Sequence, residues 1–177
     1  MQSDDRTHRV RQRKPHATAD ELVACKLTQQ SSQQILNDAA ARRQILAEKW
    51  LCAAQATARI NTYPSTHARC ASHMRRAGQL LGVYLSHPTP CYRYPNWQFG
   101  RNGGPLPLLA EVLKVLRDFG PFEREPEGLR RTTGWGEVEW FLSPHALLSG
   151  MSPAELLANA PDEVLCAAQT EFGACSD

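Results

Sequence analysis

The most regular spacing of apolar residues lies in the second half of the chain. Leu109, Val112, Leu113 and Leu116 follow one another at intervals of three and four residues, which places their side chains on one face of an α-helix. Charged residues, among them Glu111, take the opposite face. The pattern therefore predicts an amphipathic helix whose apolar face covers a core.

A longer stretch, from Ile35 to Ile60, contains no glycine or proline and is rich in alanine. Alanine has the highest helix propensity, and the apolar residues here recur mostly at helical spacings. The stretch predicts either one long helix or two helices with a bend near Glu48. The preceding segment, 1–34, is polar and basic at its start and carries the spacer Thr28–Gln34, so we expect it to be disordered or loosely ordered.

Pro64 interrupts this helical pattern, because proline lacks a backbone N–H and restricts the preceding Tyr63 to extended conformations. Pro64 also suits the first turn of a following helix, and Gly78 suits the left-handed position after one. The sequence thus predicts a second helix over Ser65–Ala77, joined to the first by a tight turn. Two short helices joined in this way are typical of a helix-turn-helix.

Two short β-prone runs, Leu80–Leu85 and Cys91–Pro95, flank a proline-rich turn and predict a β-hairpin. In a helix-turn-helix the second helix, here Ser65–Ala77, is the recognition helix that contacts DNA. The hairpin directly follows it, at the position that a wing would occupy. After the loop Asn102–Pro105, helices are expected at Leu109, over Trp135–Leu142, and after Ser152 and Pro161. Ser152 and Glu155 have the spacing of a capping box, with Pro153 at the first helical position.

These elements predict a mainly α-helical protein. A helix-turn-helix module with a small β-hairpin wing is expected over residues 35–99, and a small helical partner-binding domain over 100–177. The charge distribution supports two functional halves: Met1–Arg76 has 13 basic against 6 acidic residues, whereas Ala77–Asp177 has 7 against 12. A basic half favours a polyanionic partner such as DNA, and the sign reversal indicates a different partner for the other half.

Several functional classes find no support in the sequence. No apolar run is long enough for a membrane-spanning helix, and the polar N-terminus is unlike a secretory signal, so we expect a cytoplasmic protein. The six cysteines are scattered without a C-x-x-C pair and are interpreted as small apolar fillers. The spacing His67-x-x-Cys70-x-x-His73 differs from the usual zinc ligand pairs, so neither a metal nor another cofactor is expected.

Catalysis is equally unsupported, and no catalytic residues are assigned. The sequence has no glycine-rich phosphate loop, no nucleophile elbow and no H-E-x-x-H motif. Glu137 and Glu139 fall on opposite sides of a short helix, where we expect both to be exposed charges rather than a paired-acid site. We therefore expect a protein that is not an enzyme.

Three stretches resemble a known family, the Xre/MbcA/ParS-type antitoxins. Arg76–Val83 (RAGQLLGV) and Tyr92–Phe99 (YRYPNWQF) resemble its junction between the DNA-binding and toxin-binding modules, and Trp140–Leu157 (WFLSPHALLSGMSPAELL) resembles its toxin-binding signature. The resemblance covers roughly residues 48–170. It implies a helical C-terminal domain that binds and silences a RES-type toxin, together with autorepression of the operon. The chain departs from the family pattern in lacking a glycine in the helix-turn-helix turn and in its long loop Phe122–Gly134.

Candidate DNA contacts cluster on the predicted recognition helix. Short polar and basic side chains near its start suit base edges, and arginines near its end suit phosphates. A weaker backbone contact is expected from the hairpin. The candidate residues are Ser65, Thr66, His67, Arg69, Ser72, Arg75, Arg76 and Arg93.

Candidate partner contacts are apolar residues in excess of what a small helical domain buries: Trp140, Leu147, Leu148 and Met151. The leading hypothesis is an antitoxin and transcriptional autorepressor that binds a palindromic double-stranded operator as a homodimer and neutralises a toxin encoded next to it. Two alternatives stay open. One is an interaction-only adaptor whose helix-turn-helix has decayed, and the other is a mobile-element transcription regulator without a toxin partner.

Overall fold

The computed structural model describes the backbone of residues 19–62, 69–122 and 132–173, with side chains from residue 31 onward. Within these ranges the chain is mainly helical and holds one three-stranded antiparallel sheet, which confirms the predicted class at this coarse level. The helices are α1 Ala19–Glu48, α2 Ala53–Ile60, α3 Ala71–Arg76, α4 Leu109–Phe119, α5 Trp135–Leu142, α6 Pro153–Leu156 and α7 Pro161–Phe172. The strands are β1 Leu51–Cys52, β2 Val83–Leu85 and β3 Cys91–Tyr94.

Helix α1 starts earlier than the sequence pattern indicated. Residues 19–34, expected to be loosely ordered, are helical, whereas residues 1–18 of that expected segment lie outside the described ones. The chain has no glycine or proline between Pro15 and Pro64, so no residue of that kind interrupts the helix. Of the two alternatives for Ile35–Ile60, the structure has two helices that separate near Glu48, with the short strand β1 between them instead of a bend.

The predicted hairpin forms, and it belongs to a larger sheet. The strand order is β1-β3-β2, with Leu51 opposite Tyr94 and Val83 opposite Arg93. Strand β3 therefore has neighbours on both sides. On the far side of β2, the Tyr84 N–H donates to the Thr133 carbonyl at 2.8 Å. The hairpin is thus built into the body of the protein.

Contacts divide the chain into two compact units, Met1–Arg42 and Arg43–Asp177. The expected boundary at residues 99 and 100 consequently falls inside the second unit. Residues on the two sides of this boundary are in contact, since the ring centroid of Trp97 lies 4.6 Å from that of Phe141 in α5. The core is also continuous across the boundary, with buried side chains from α2, α3, the sheet and α4 to α7.

The C-terminal helices follow the sequence pattern closely. The predicted stripe of α4 is fully buried, from Leu109 to Leu116. Gly134 precedes α5 with a φ of +83°, and a Cβ there would lie 2.4 Å from the Gly82 carbonyl oxygen, so this tight approach requires glycine. Helix α6 begins with the expected capping box, and no helix of the described part is long and apolar enough to cross a membrane.

Candidate nucleic-acid interface

Hydrogen bonds join the described ends of the connection between α2 and α3, whereas its residues 63–68, which include the predicted turn at Pro64, lie outside the described ones. Helix α2 ends at Ile60, and Asn61 then closes the connection by pairing with both backbone groups of Arg69. Its Oδ1 accepts from the Arg69 N–H at 3.0 Å, and its Nδ2 donates to the Arg69 carbonyl at 2.8 Å. The Thr57 hydroxyl accepts from the Ala71 N–H at 3.1 Å, which satisfies a backbone donor at the start of α3.

Of the recognition helix predicted over Ser65–Ala77, the described part is helical only over Ala71–Arg76. Helix α3 has 6 residues, Ala71–Arg76, and Arg69 lies ahead of it in irregular backbone. Ser65, Thr66 and His67 lie outside the described residues. The prediction of one continuous helix fails at Arg69 and Cys70. Both backbone groups of Arg69 pair with Asn61, and Cys70 is the extended N-cap of α3, whose carbonyl accepts the first helical hydrogen bond from the Met74 N–H.

The remaining candidates differ in how they could meet DNA. Arg69 and Arg76 are exposed, whereas Ser72 is half-buried in the first turn of α3. Arg75 lies with its guanidinium carbon 3.5 Å from the centroid of the Tyr92 ring, a cation–π contact that holds it along the protein surface. Arg93 is half-buried in the middle strand β3, so it is poorly placed for the expected contact from a wing.

A groove of about 550 Å³ lies between the end of α3 and the polar face of α4. We call it the α3–α4 groove. Its charged lining residues are Arg75, Arg76, Glu111, Lys114, Arg117 and Asp118. The lining therefore contains four cationic side chains and two carboxylates. Lys114 and Arg117 were missed as candidates, since the sequence shows them only as the polar face of a helix and does not show that α3 lies opposite.

A buried carboxylate lies behind this groove. Glu137 of α5 is fully buried, and its Oε1 accepts from the Thr132 hydroxyl and from the Arg117 Nε at 3.4 Å. The expectation that Glu137 and Glu139 are both exposed charges is therefore wrong for Glu137, although Glu139 is exposed. The cation and the hydroxyl compensate Oε1 and so reduce the cost of burial, whereas Oε2 is buried without a hydrogen-bond partner among the described residues.

Cys70, the residue before α3, has a thiol with a perturbed pKa. The backbone N–H groups of His73 and Ser72 donate to its sulfur, and these bonds hold the pKa of the exposed thiol below its usual value, with a smaller contribution from Thr57 and Arg76. No group of three or more metal-binding side chains occurs in the part of the chain that the structure describes.

The expected partner surface is only partly exposed. Trp140 and Leu148 are buried, at 5% and 4% exposure, and are corrected to core residues. The Trp140 indole donates to the Glu171 carboxylate at 2.6 Å and packs near Phe172, which fixes it against α7. Leu147 and Met151 are exposed, as is Leu142 at the end of α5. We call Leu142, Leu147 and Met151 the apolar surface residues.

Comparison with known proteins identifies no relative. No protein-family model matches the chain, and neither a curated protein nor a solved structure matches it significantly. The resemblance to Xre/MbcA/ParS-type antitoxins thus rests on the sequence motifs alone.

Proposed function

We propose that the protein is an antitoxin-type repressor that binds operator DNA and also binds and neutralises a RES-type toxin. The single observation that carries the DNA-binding part is the basic surface at α3, formed by Arg69, Arg75 and Arg76. Arginines close together in the chain, with Arg69 and Arg76 exposed, can provide the electrostatic contacts to phosphates from which DNA affinity mainly arises. The strongly basic balance of Met1–Arg76 supports the same assignment.

Within this proposal, the basic residues divide by role. Arg76 is exposed at the C-terminal end of α3. A contact to a phosphate does not depend on which base pair lies nearby, so this position suits the DNA backbone. Arg69 is also exposed and precedes the helix, next to the candidate residues Ser65, Thr66 and His67 in the chain. Base reading is therefore assigned to the segment before α3, and backbone contacts to the end of α3. A homodimer would place two such surfaces on a palindromic operator.

Toxin binding is assigned to the apolar surface residues. Leu147 and Met151 are 55% and 44% exposed. The His145 N–H donates to the Met151 carbonyl at 3.1 Å, and this hydrogen bond closes the segment from His145 to Met151 into a loop. Large exposed apolar side chains on an ordered segment are typical of protein interfaces. They lie within the stretch Trp140–Leu157 that resembles the toxin-binding signature.

The test uses the full chain. It is co-expressed with the product of the neighbouring open reading frame, and the purified protein is then titrated onto the duplex upstream of its gene. We expect co-purification, which Met151→Asp abolishes without lowering the melting temperature, and a gel shift that weakens as salt rises. Binding of the neighbour without any DNA shift, even at low salt, would overturn the repressor assignment.

The interaction-only adaptor remains a second candidate because of one specific observation. Helix α3 has only 6 residues and Arg75 is held on Tyr92, which leaves little helical surface to enter a major groove. That candidate predicts the toxin complex but no sequence-specific DNA binding, so the same experiment separates the two.

A further inference from the structure

The α3–α4 groove combines residues from the basic half of the chain, Met1–Arg76, and from its acidic half, Ala77–Asp177. Arg75 and Arg76 come from α3, whereas Lys114 and Arg117 come from α4. Neither Arg76 nor Lys114 forms an ion pair with a carboxylate of the described residues. Within the described residues, their positive charges are therefore not neutralised by direct pairing, although Glu111 and Asp118 lie in the same lining.

Two of the four cations are held in place by neighbouring groups. The Arg117 Nε is 3.4 Å from the buried Glu137 carboxylate, and its Nη2 is 3.5 Å from the Leu80 carbonyl oxygen. Arg75 is stacked on Tyr92, and Gly82 makes room for it, because a Cβ at Gly82 would lie 2.6 Å from the Arg75 Cδ. Side chains already held in one orientation lose less conformational entropy when a ligand binds.

The shape and charge of the groove define its ligand class. A volume of about 550 Å³ is within the range of small-ligand sites. With Arg117 paired to Glu137, three further cations and two carboxylates line the groove, and this remaining excess of positive charge favours an anion. Arginine guanidinium groups match the oxygens of a phosphate in geometry, and a lysine adds a mobile point charge. We propose that the α3–α4 groove is a phosphate-binding site, with Lys114 and Arg76 as its exposed contacts and Arg75 and Arg117 as its fixed ones.

This inference deepens the proposed function: if the protein binds DNA, the phosphate is a phosphodiester of the duplex, and α4 contacts it together with α3. A soluble phosphorylated compound offers the same chemistry from a different source. The experiment therefore uses duplex DNA in one arm, and inorganic phosphate and a mononucleotide in the other.

In both arms the wild-type chain is compared with Lys114→Gln, Arg76→Gln and the control Arg101→Gln. Arg101 is exposed and does not line the groove. In the DNA arm, affinity is measured across a salt series on specific and unrelated duplexes. Lys114→Gln should weaken both duplexes alike and lower the slope of log affinity against log salt by about one, whereas Arg101→Gln leaves it unchanged. In the second arm, nitrogen–proton spectra follow the backbone amides of Gly78 and Gly82.

Four outcomes are distinguishable. The expected slope change supports the groove and the repressor together. DNA binding that is indifferent to Lys114→Gln, with no phosphate or nucleotide shift of Gly78 and Gly82, overturns the groove and leaves the repressor standing. In the third outcome, phosphate or nucleotide shifts the Gly78 and Gly82 amides saturably, Lys114→Gln abolishes these shifts, and the chain does not bind DNA. This outcome supports the groove and overturns the repressor. No response in either arm overturns both. Thermal melts of each variant check that the chain stays folded.

Discussion

Gln98 shows how one buried polar side chain can connect two sequence motifs. It is fully buried, and its Oε1 accepts from the Leu81 N–H at 2.8 Å while its Nε2 donates to the Leu81 and Pro95 carbonyls at 2.9 and 3.1 Å. Its amide thus completes backbone hydrogen bonds that neither helix nor strand supplies. Leu81 and Gln98 belong to the two junction stretches that resemble the antitoxin family, so at this position the motifs have a structural role.

Gln98→Leu should lower the free energy of unfolding by about 2–5 kcal/mol, because it leaves three buried backbone groups without partners. Each such group costs about 1–3 kcal/mol, and partial relaxation of the structure reduces their sum. Gln79→Leu, at an exposed position, is the matched control and should change the free energy of unfolding by about 0.5 kcal/mol or less. Urea denaturation measures both. Equal stability of the two variants would show that Gln98 is not needed to satisfy Leu81.

Cys70 provides a residue-scale test of the geometry at α3. Since backbone N–H groups of His73 and Ser72 favour its thiolate, Cys70 should react with iodoacetamide at a lower pH in the folded chain than after unfolding in urea. A variant that retains Cys70 as its single cysteine isolates the signal, and alkylation rates across pH give the midpoint. Coincident pH profiles for folded and unfolded chains would contradict the placement of Cys70 at the start of α3.

At the scale of elements, α6 illustrates a helix specified by its local sequence. The Glu155 carboxylate accepts from the Ser152 N–H at 3.0 Å and from the Ser152 hydroxyl at 2.7 Å, and these bonds lower the pKa of Glu155. A lowered folded-state pKa means that this contribution to stability is present above the unfolded pKa and is lost as pH falls through the folded one. The capping box is therefore expected to weaken only in acid.

Ser152→Ala should lower the free energy of unfolding by about 0.5–2 kcal/mol at neutral pH, the usual cost of losing an N-cap hydroxyl. Ser152→Thr keeps the hydroxyl and serves as the control. The difference between the two variants should shrink in an acidic pH series, once Glu155 is protonated. A difference that persists unchanged into acid would show that Glu155 does not act through Ser152.

The division of roles around α3 leads to a second element-scale prediction, which rests on the proposed function. Arg69→Ala should reduce discrimination at one base pair by about 1–3 kcal/mol, because a base contact is lost. Arg76→Ala should weaken all sequences alike and reduce the salt slope by about one. Competition assays with single-base operator variants measure both. Losses at Arg69 that are independent of sequence would remove the base-reading role from the segment before α3.

For the whole molecule, the continuity of Arg43–Asp177 determines which pieces can fold. A fragment of residues 100–177 loses Trp97 from the face of Phe141, and it loses strand β2, whose Tyr84 bonds to Thr133. We expect this fragment to lack a cooperative unfolding transition by circular dichroism. A fragment of residues 43–177 keeps the entire compact unit and should unfold cooperatively. Cooperative unfolding of the shorter fragment would support the boundary predicted near residue 100.

Elements governed by neighbouring residues were predictable from the sequence. The leucine stripe of α4, the proline-started α7 and the capping box of α6 depend on spacing within one or two helical turns. The hairpin was also predictable, because its turn residues lie between two β-prone runs. Strand β1 was not, since its two residues carry no periodic signal and pair with a strand some forty residues further on.

The helical class, the capping box of α6 and the segregation of charge could be read from the amino-acid sequence, because each follows from residues close together in the chain. The folded structure was needed to show that Trp140, Leu148 and Glu137 are buried, that α3 starts at Ala71, and that α4 lines the same groove as α3. The physical reason is that burial and electrostatic pairing depend on which surfaces meet. Those meetings join residues far apart in the chain, such as Leu81 with Gln98 and Arg117 with Glu137.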